Sequence, residues 1–239
     1  MTFKDLKVAV YADGADIDGM KAMYASGFVK GFTTNPSLMK RAGVKDYVSF
    51  AKDVVKAIPD LPLSFEVFGD DFETMEKEAQ IISKLGKNVF VKIPIMLTDM
   101  TSTAPLIKKL SAQGIQLNIT AIFTAEQVQE AVDSLTDGTK NIISVFAGRL
   151  ADTGNDPVPV IKETVRICRT KPGTLSLWAS TREVYNVMQA DALGCDIITT
   201  PNSVIEKLGG MGKSPIKGSQ DTVLTFAKDI KSLGFSILN

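Results

Sequence analysis

Lys92 stands inside Asn88-Val89-Phe90-Val91-Lys92-Ile93-Pro94, a run that otherwise reads as a buried β-strand. A lysine at an inward position of such a strand leaves most of its water behind, and desolvation disfavours the ammonium form. The free amine that results can attack a carbonyl and form a Schiff base. The ordinary alternative is that Lys92 marks a strand end and snorkels to solvent. Further polar residues follow other apolar runs: Asp13, Thr33-Thr34-Asn35-Pro36, Glu66, Asn118, Thr120, Ser144, Ser180, Thr199 and Thr200. Each has a structural alternative. Asp13 and Asn35 fit helix caps, Thr120 fits β-branched strand filler, and Glu66 fits a structural ion pair with Lys92. Asn118 and Thr120 share a strand face, as do Ser144 and Phe146 while the strand stays regular. Taken together, polar groups after nearly every strand, converging on a buried lysine, favour a pocket. Arg149 and Arg182 follow late strand ends, and Ser180 lies just before Arg182. Most arginines are solvated surface residues, but two guanidinium forks and a hydroxyl suit a phosphate dianion. The expected substrate is therefore phosphorylated.

Composition narrows the chemistry. The chain has no histidine, which removes His-based triads, HExxH metalloenzymes and His-ligated metals. Acid–base work must fall to Asp, Glu, Lys, Tyr or a bound water. No acidic cluster suggests a metal site, so none is expected. Lys+Arg and Asp+Glu are equal at 27 each, which argues against a broad nucleic-acid surface. No apolar run approaches membrane-spanning length, and no secretory pattern opens the sequence. Cys168 and Cys195 match no zinc spacing and imply no disulfide framework. A reducing, cytoplasmic setting is expected.

The elements that must position these residues alternate from end to end. Strands are expected at 6–12, 29–33, 63–68, 88–93, 114–119, 141–145, 174–178 and 196–199. Helical patterns lie at 16–25, 46–57, 71–85, 103–110, 125–134, 157–168, 181–193 and 203–208, with a final helix at 221–231. Eight β–α alternations in 239 residues suggest an α/β fold, a single-domain parallel (β/α)8 TIM barrel with an extra C-terminal helix. The open doubly wound sheet is the alternative, but the first strand runs into Asp13-Gly14-Ala15-Asp16, with no GxGxxG. No linker, charge block or repeat divides the chain, so residues 1–239 read as one domain. In a barrel the chemistry belongs at the C-terminal strand ends, where these polar groups fall.

The chain resembles the transaldolase family, specifically its short subfamily, which includes fructose-6-phosphate aldolases. The matching pieces are Tyr11-Ala12-Asp13, Thr33-Thr34-Asn35-Pro36-Ser37, Phe65-Glu66-Val67, Val91-Lys92-Ile93-Pro94, Asn118-Ile119-Thr120-Ala121-Ile122-Phe123, Ser144-Val145-Phe146-Ala147-Gly148-Arg149 and Ala179-Ser180-Thr181-Arg182. They occur in order over most of the chain, and the ordered set is highly specific. The resemblance implies a barrel of the class I aldolase type that acts without a cofactor on sugar phosphates, as a homo-oligomer with the C-terminal helix a candidate contact. It implies that Lys92 forms the Schiff base and Asp13 moves protons around C–C cleavage. Glu66 and Thr120 would hold and activate the catalytic water. Asn35 and Asn118 would orient donor hydroxyls and the lysine region, while Ser144 and Phe146 would line the dihydroxyacetone pocket. Arg149, Ser180 and Arg182 would bind phosphate.

The implied reaction is transfer of dihydroxyacetone from sedoheptulose 7-phosphate to glyceraldehyde 3-phosphate. The close alternative is aldol cleavage of fructose 6-phosphate with release of dihydroxyacetone. In the family, Gln and Tyr at the positions of Glu66 and Phe146 accompany that cleavage, so this chain favours transfer. A non-catalytic sugar-phosphate binder on a retired enzyme fold is a third possibility, against which Lys92, Asp13 and Glu66 speak. Three positions depart from the family pattern. Gly14 replaces a common hydroxyl residue, Val145 replaces a common proline, and Trp178 is bulky for its place. Each is an expected modifier of pocket shape or acceptor choice.

Overall fold

The computed structural model describes residues 2–238. Eight strands form a closed barrel in chain order: β1 (Ala9–Asp13), β2 (Phe32–Thr33), β3 (Leu63–Glu66), β4 (Val89–Pro94), β5 (Leu117–Ile122), β6 (Asn141–Val145), β7 (Thr174–Trp178) and β8 (Ile197–Pro201). All pairings are parallel, and β8 returns to β1 over five residues, from Ala9↔Ile197 to Asp13↔Pro201. That closure removes the open-sheet alternative. The strands are buried on both faces, as a sheet sandwiched between a filled interior and an outer ring of helices requires.

The outer ring comprises α1 (Ile17–Ala25), α2 (Pro36–Arg41), α3 (Tyr47–Ala57), α4 (Phe72–Ser83), α5 (Ala104–Ala112), α6 (Ala125–Asp133), α7 (Ala147–Asp152), α8 (Val158–Cys168), α9 (Val184–Ala192) and α10 (Asn202–Ile205). Side-chain caps explain where several begin. Asp16, Asn35, Asp46, Asp71 and Thr124 each accept a hydrogen bond from a backbone N–H in the first turn, satisfying a donor that the helix cannot.

Some boundaries differ from expectation for identifiable reasons. The first strand starts later than residue 6, because a 3-10 turn occupies Phe3–Asp5 and the Asp191 carboxylate takes the backbone N–H groups of Lys7 and Val8. The fifth starts at Leu117, because Gly114, at φ 77°, is still closing the preceding helix. It carries a bulge between Ile119 and Ile122, with Ala121 at φ 59°. Two helices, α2 and α7, lie in βα loops that had no expected element. The final helix, α11 (Pro215–Leu233), is longer than 221–231. Ser214 caps it, Pro215 fits its first position, and Gly234 ends it in the left-handed conformation. None of its residues is buried. Among the described residues, no helix is long and apolar enough to cross a membrane.

Candidate active site

The barrel opens at the C-terminal strand ends into a cavity of roughly 440 Å³. Of the residues expected at the site, Asp13, Asn35, Lys92, Thr120, Ser144, Phe146, Arg149, Ser180 and Arg182 all line it. Glu66 and Asn118 do not; each reaches the site through another side chain.

Lys92 is 5% exposed, so it does not snorkel. Its Nζ lies 2.9 Å from Glu66 Oε2 and donates to the Thr34 carbonyl at 2.7 Å. Glu66 and Lys92 are register partners on β3 and β4, which puts both side chains on the same sheet face. The ion pair that was the structural alternative for Glu66 is therefore present, and its lysine lines the cavity. Glu66 opens on a second hollow bounded by Pro36, Val67 and Pro94, and its side chain keeps 16% exposure. A carboxylate this close can take a proton from the amine and return it.

Asp13 accepts a hydrogen bond from Thr33 Oγ1 at 2.8 Å, and Thr33 shares a further hydroxyl contact of 2.5 Å with Thr199. Asp13 is not a helix cap; Asp16 fills that role for α1. Burial pushes the Asp13 carboxyl above its ordinary value, prevailing over the opposing pull of the Lys92 charge and the Thr33 hydrogen bond. Asn35 does cap α2, accepting from Leu38 N at 3.0 Å, while lining the cavity as well.

Beneath the cavity Asn118 joins three strands. It accepts from Ser144 Oγ at 2.6 Å and donates to Ser64 Oγ at 3.0 Å. Ser144 is thereby oriented from below. The Thr120 hydroxyl is buried and has no hydrogen-bond partner within the protein. An unpaired buried hydroxyl is costly, and one that faces a cavity is available to a bound molecule.

The cationic side of the cavity is built on α7. The Arg149 guanidinium lies 4.9 Å from the centre of the Phe146 ring. Ser180 adopts φ 65°, an uncommon conformation for a residue with a Cβ. The loop carrying it packs so closely on α7 that a Cβ on Gly148 would fall 1.6 Å from the Ser180 carbonyl oxygen. Gly148→Ala is accordingly expected to displace the 180–182 loop. The expected result is a loss of roughly 1–3 kcal/mol in stability, read by denaturant unfolding.

Several residues at the site were given no role from sequence. Thr33 and Thr199, expected only as polar groups on the rim, form a hydroxyl pair of which Thr33 reaches Asp13, Ser64 anchors Asn118, Arg41 lines the cavity from the end of α2, and Asp152 pairs with Arg182. The spacing of Asp152 three residues after Arg149 would have been a signal had α7 been recognised as helical. Of the departures from the family pattern, Val145 and Trp178 are register partners buried outside the cavity lining. Gly14 borders a neighbouring hollow of roughly 320 Å³, and a Cβ there would meet nothing within 4 Å.

A family profile described as Transaldolase/Fructose-6-phosphate aldolase matches residues 10–237. The chain is 32% identical over 228 residues to a probable transaldolase of Thermoanaerobacter sp., covering 95% of this chain and 99% of the relative. It is 35% identical over 199 residues to a probable transaldolase of Sphingopyxis alaskensis, covering 83% and 88%. A third, from Methanococcus maripaludis, is 37% identical over 199 residues with the same coverage. Among solved structures, a putative phosphonomutase from Burkholderia cenocepacia superposes with a TM-score of 0.57 at 12% identity, covering 93% of this chain and 94% of that one. A 2,3-dimethylmalate lyase superposes with a TM-score of 0.57 at 11% identity, covering 98% and 96%. At these identities the two structures share the fold alone.

Proposed function

The chain belongs to the transaldolase/fructose-6-phosphate aldolase family of enzymes, and on that premise we propose that it transfers dihydroxyacetone from sedoheptulose 7-phosphate to glyceraldehyde 3-phosphate in the pentose phosphate pathway. The observation that carries this is a lysine amine at the floor of a polar cavity, within reach of a carboxylate on one side and a carbonyl on the other.

The Lys92 amine adds to the C2 carbonyl of the ketose phosphate, and loss of water gives an iminium. Glu66 and Thr120 serve that exchange, one as the proton acceptor and the other as the hydroxyl that holds the water. Asp13 takes the proton of the C4 hydroxyl, the C3–C4 bond breaks, and its electrons move into the iminium to give an enamine. Erythrose 4-phosphate leaves. C3 of the enamine then attacks the aldehyde carbon of glyceraldehyde 3-phosphate, and Asp13 returns its proton to the new alkoxide. Water releases fructose 6-phosphate and restores the amine. The lysine imine is the electron sink, so the chemistry asks for no external cofactor. Asn35, Asn118 and Ser144 orient the three-carbon fragment and the lysine region, and Phe146 walls the pocket. Arg149, Ser180 and Arg182 hold the phosphate.

Aldol cleavage with release of dihydroxyacetone is the second reading, and two residues support transfer over it. Phe146 presents an apolar ring, already covered by Arg149, in place of a phenolic donor. Glu66 presents a carboxylate in place of an amide that cannot act as base. Erythrose 4-phosphate and dihydroxyacetone are to be measured separately. Wild type should form the first faster, and Phe146→Tyr should raise the ratio of dihydroxyacetone release to transfer by roughly tenfold, a change of about 1.4 kcal/mol between two barriers. Glu66→Gln should slow transfer by about 10²-fold or more. Faster release than transfer in wild type would replace transfer with cleavage as the function.

The two cysteines are free and buried, which fits a reducing cytoplasmic setting. A homo-oligomer is supported by α11, whose Ile216, Val223, Phe226, Ile230 and Leu233 recur at helical spacing and are all exposed. A contiguous apolar stripe of that kind marks an association surface. Phe226→Glu should lower the mass measured by sedimentation; an unchanged mass would place the contact elsewhere.

A further inference from the structure

We propose that Asp152 is a positioning residue for phosphate recognition, gripping one edge of the Arg182 guanidinium so that the opposite edge presents to the cavity. The proposal rests on the phosphate site assigned above. Arg182 Nε donates to Asp152 Oδ1 at 3.1 Å, and Nη2 donates to Oδ2. These bonds use two of the five guanidinium N–H groups. Of the three that remain, two lie along the Nη1–Nη2 edge, one on each nitrogen, which matches two phosphate oxygens. Arg182 lines the cavity and Asp152 does not, so the carboxylate approaches from behind the fork rather than from the substrate's side.

The rest of the loop is held in the same sense. The Arg182 backbone N–H donates to Asn186 Oδ1 at 3.0 Å, fixing the root of the side chain. Asp152 and Arg149 are three residues apart on α7, on one face of that helix. Gly148 of the same helix meets the Ser180 carbonyl. One short helix therefore supplies one phosphate arginine, seats the loop that carries the second, and orients its side chain. Hydrogen bonds from Arg182 hold the Asp152 carboxyl below its ordinary value, with the charges of Arg182 and Arg149 adding to them, so the grip persists at neutral pH. Without it, an exposed arginine samples many rotamers, and the fork must be ordered anew for each phosphate bound.

An electrostatic role alone predicts the opposite sign. Removing a carboxylate beside two arginines raises local positive charge and should tighten phosphate binding. The test is steady-state kinetics with fructose 6-phosphate and with fructose as donor, together with inhibition by inorganic phosphate. Asp152→Ala should raise KM for fructose 6-phosphate and the inhibition constant for phosphate by roughly 5–20-fold, less than the loss of a whole charge-assisted hydrogen bond because the arginine itself remains. The kcat should move much less, and kcat/KM for fructose should fall far less than that for the phosphate ester. Asp152→Asn, of the same shape and with one acceptor left, should fall between. Asp152→Glu should restore part of the loss. A KM for fructose 6-phosphate that stays level or drops in Asp152→Ala overturns the proposal. So do equal losses for both donors in the Ala and Asn variants. Arg182→Ala, run alongside, separates the two levels of inference. If it fails to discriminate between donors, the phosphate site falls and the positioning role with it. If it discriminates and Asp152→Ala does not, only the positioning role falls.

Discussion

Lys92→Met is expected to abolish turnover and substrate-dependent trapping by borohydride while the barrel stays folded. Methionine keeps the length and apolar stem of lysine among Val91, Ile93 and their neighbours, and removes only the amine. The hazard is the carboxylate left behind. Breaking a buried ion pair from one side commonly costs about 3–5 kcal/mol, because the remaining charge is stranded. Glu66 is not stranded to that degree, since its side chain keeps 16% exposure and borders a second hollow. Lys92→Met/Glu66→Gln removes both charges and should recover stability without recovering activity. Loss of a nucleophile from a covalent enzyme typically costs on the order of 10⁶-fold in kcat. Peptide mass mapping after borohydride reduction with fructose 6-phosphate should find the adduct on Lys92 in wild type and none in Lys92→Met. Labelling at another lysine would sink the Schiff-base assignment. No adduct in wild type would favour the non-catalytic sugar-phosphate binder.

Lys92 and Glu66 were legible in the sequence because charged residues inside apolar strands are rare, and a pair of them on neighbouring strands is rarer still. The barrel was legible because eight short apolar runs alternate with helical patterns of ordinary length. What escaped has physical reasons. Helices α2 and α7 have six residues each, too few for a 3.6-residue period to declare itself. Asp152 and Arg41 therefore received no role. Thr33 and Thr199 were legible as polar groups on the rim, but their pairing with each other, and that of Thr33 with Asp13, runs across strands far apart in sequence. The placing of Asn118 beneath the cavity, and of Glu66 to one side, depends on how strands stagger around the barrel. Alternation along one strand gives the face of a residue but not its height. Asn35 shows that a structural and a functional assignment need not compete, since one side chain both caps a helix and faces the cavity.

Asp13→Asn is expected to separate the two halves of the chemistry and to show what the site costs the fold. The amide cannot take the C4 hydroxyl proton, so cleavage and transfer should fall by roughly 10²–10⁴-fold. Lys92 is untouched, so borohydride should still trap the ketose phosphate, now with its full carbon chain. Loss of trapping as well would assign Asp13 to imine formation instead. The pH dependence follows from burial. Asp13 must be ionised to act as base, and its carboxyl is pushed above the ordinary value, so the acid limb of kcat/KM should lie above the usual aspartate range. Thr33→Val removes a hydrogen bond that favours the ionised form, and should move that limb to still higher pH. The sign for stability is the reverse of that for a salt-bridged carboxylate. Between the unfolded and folded values the native state binds the proton more tightly. The stabilisation is complete below the unfolded value and is lost as pH rises through the folded one. At neutral pH the ionised group is a net burden, which Asn avoids while still accepting from Thr33. Asp13→Asn should therefore unfold at a higher temperature than wild type at pH 7, and the gain should shrink as the pH is lowered through the folded value. A lower Tm at pH 7 would mean that the pull of Lys92 on Asp13 outweighs its desolvation, and would remove the expected upward displacement of the acid limb.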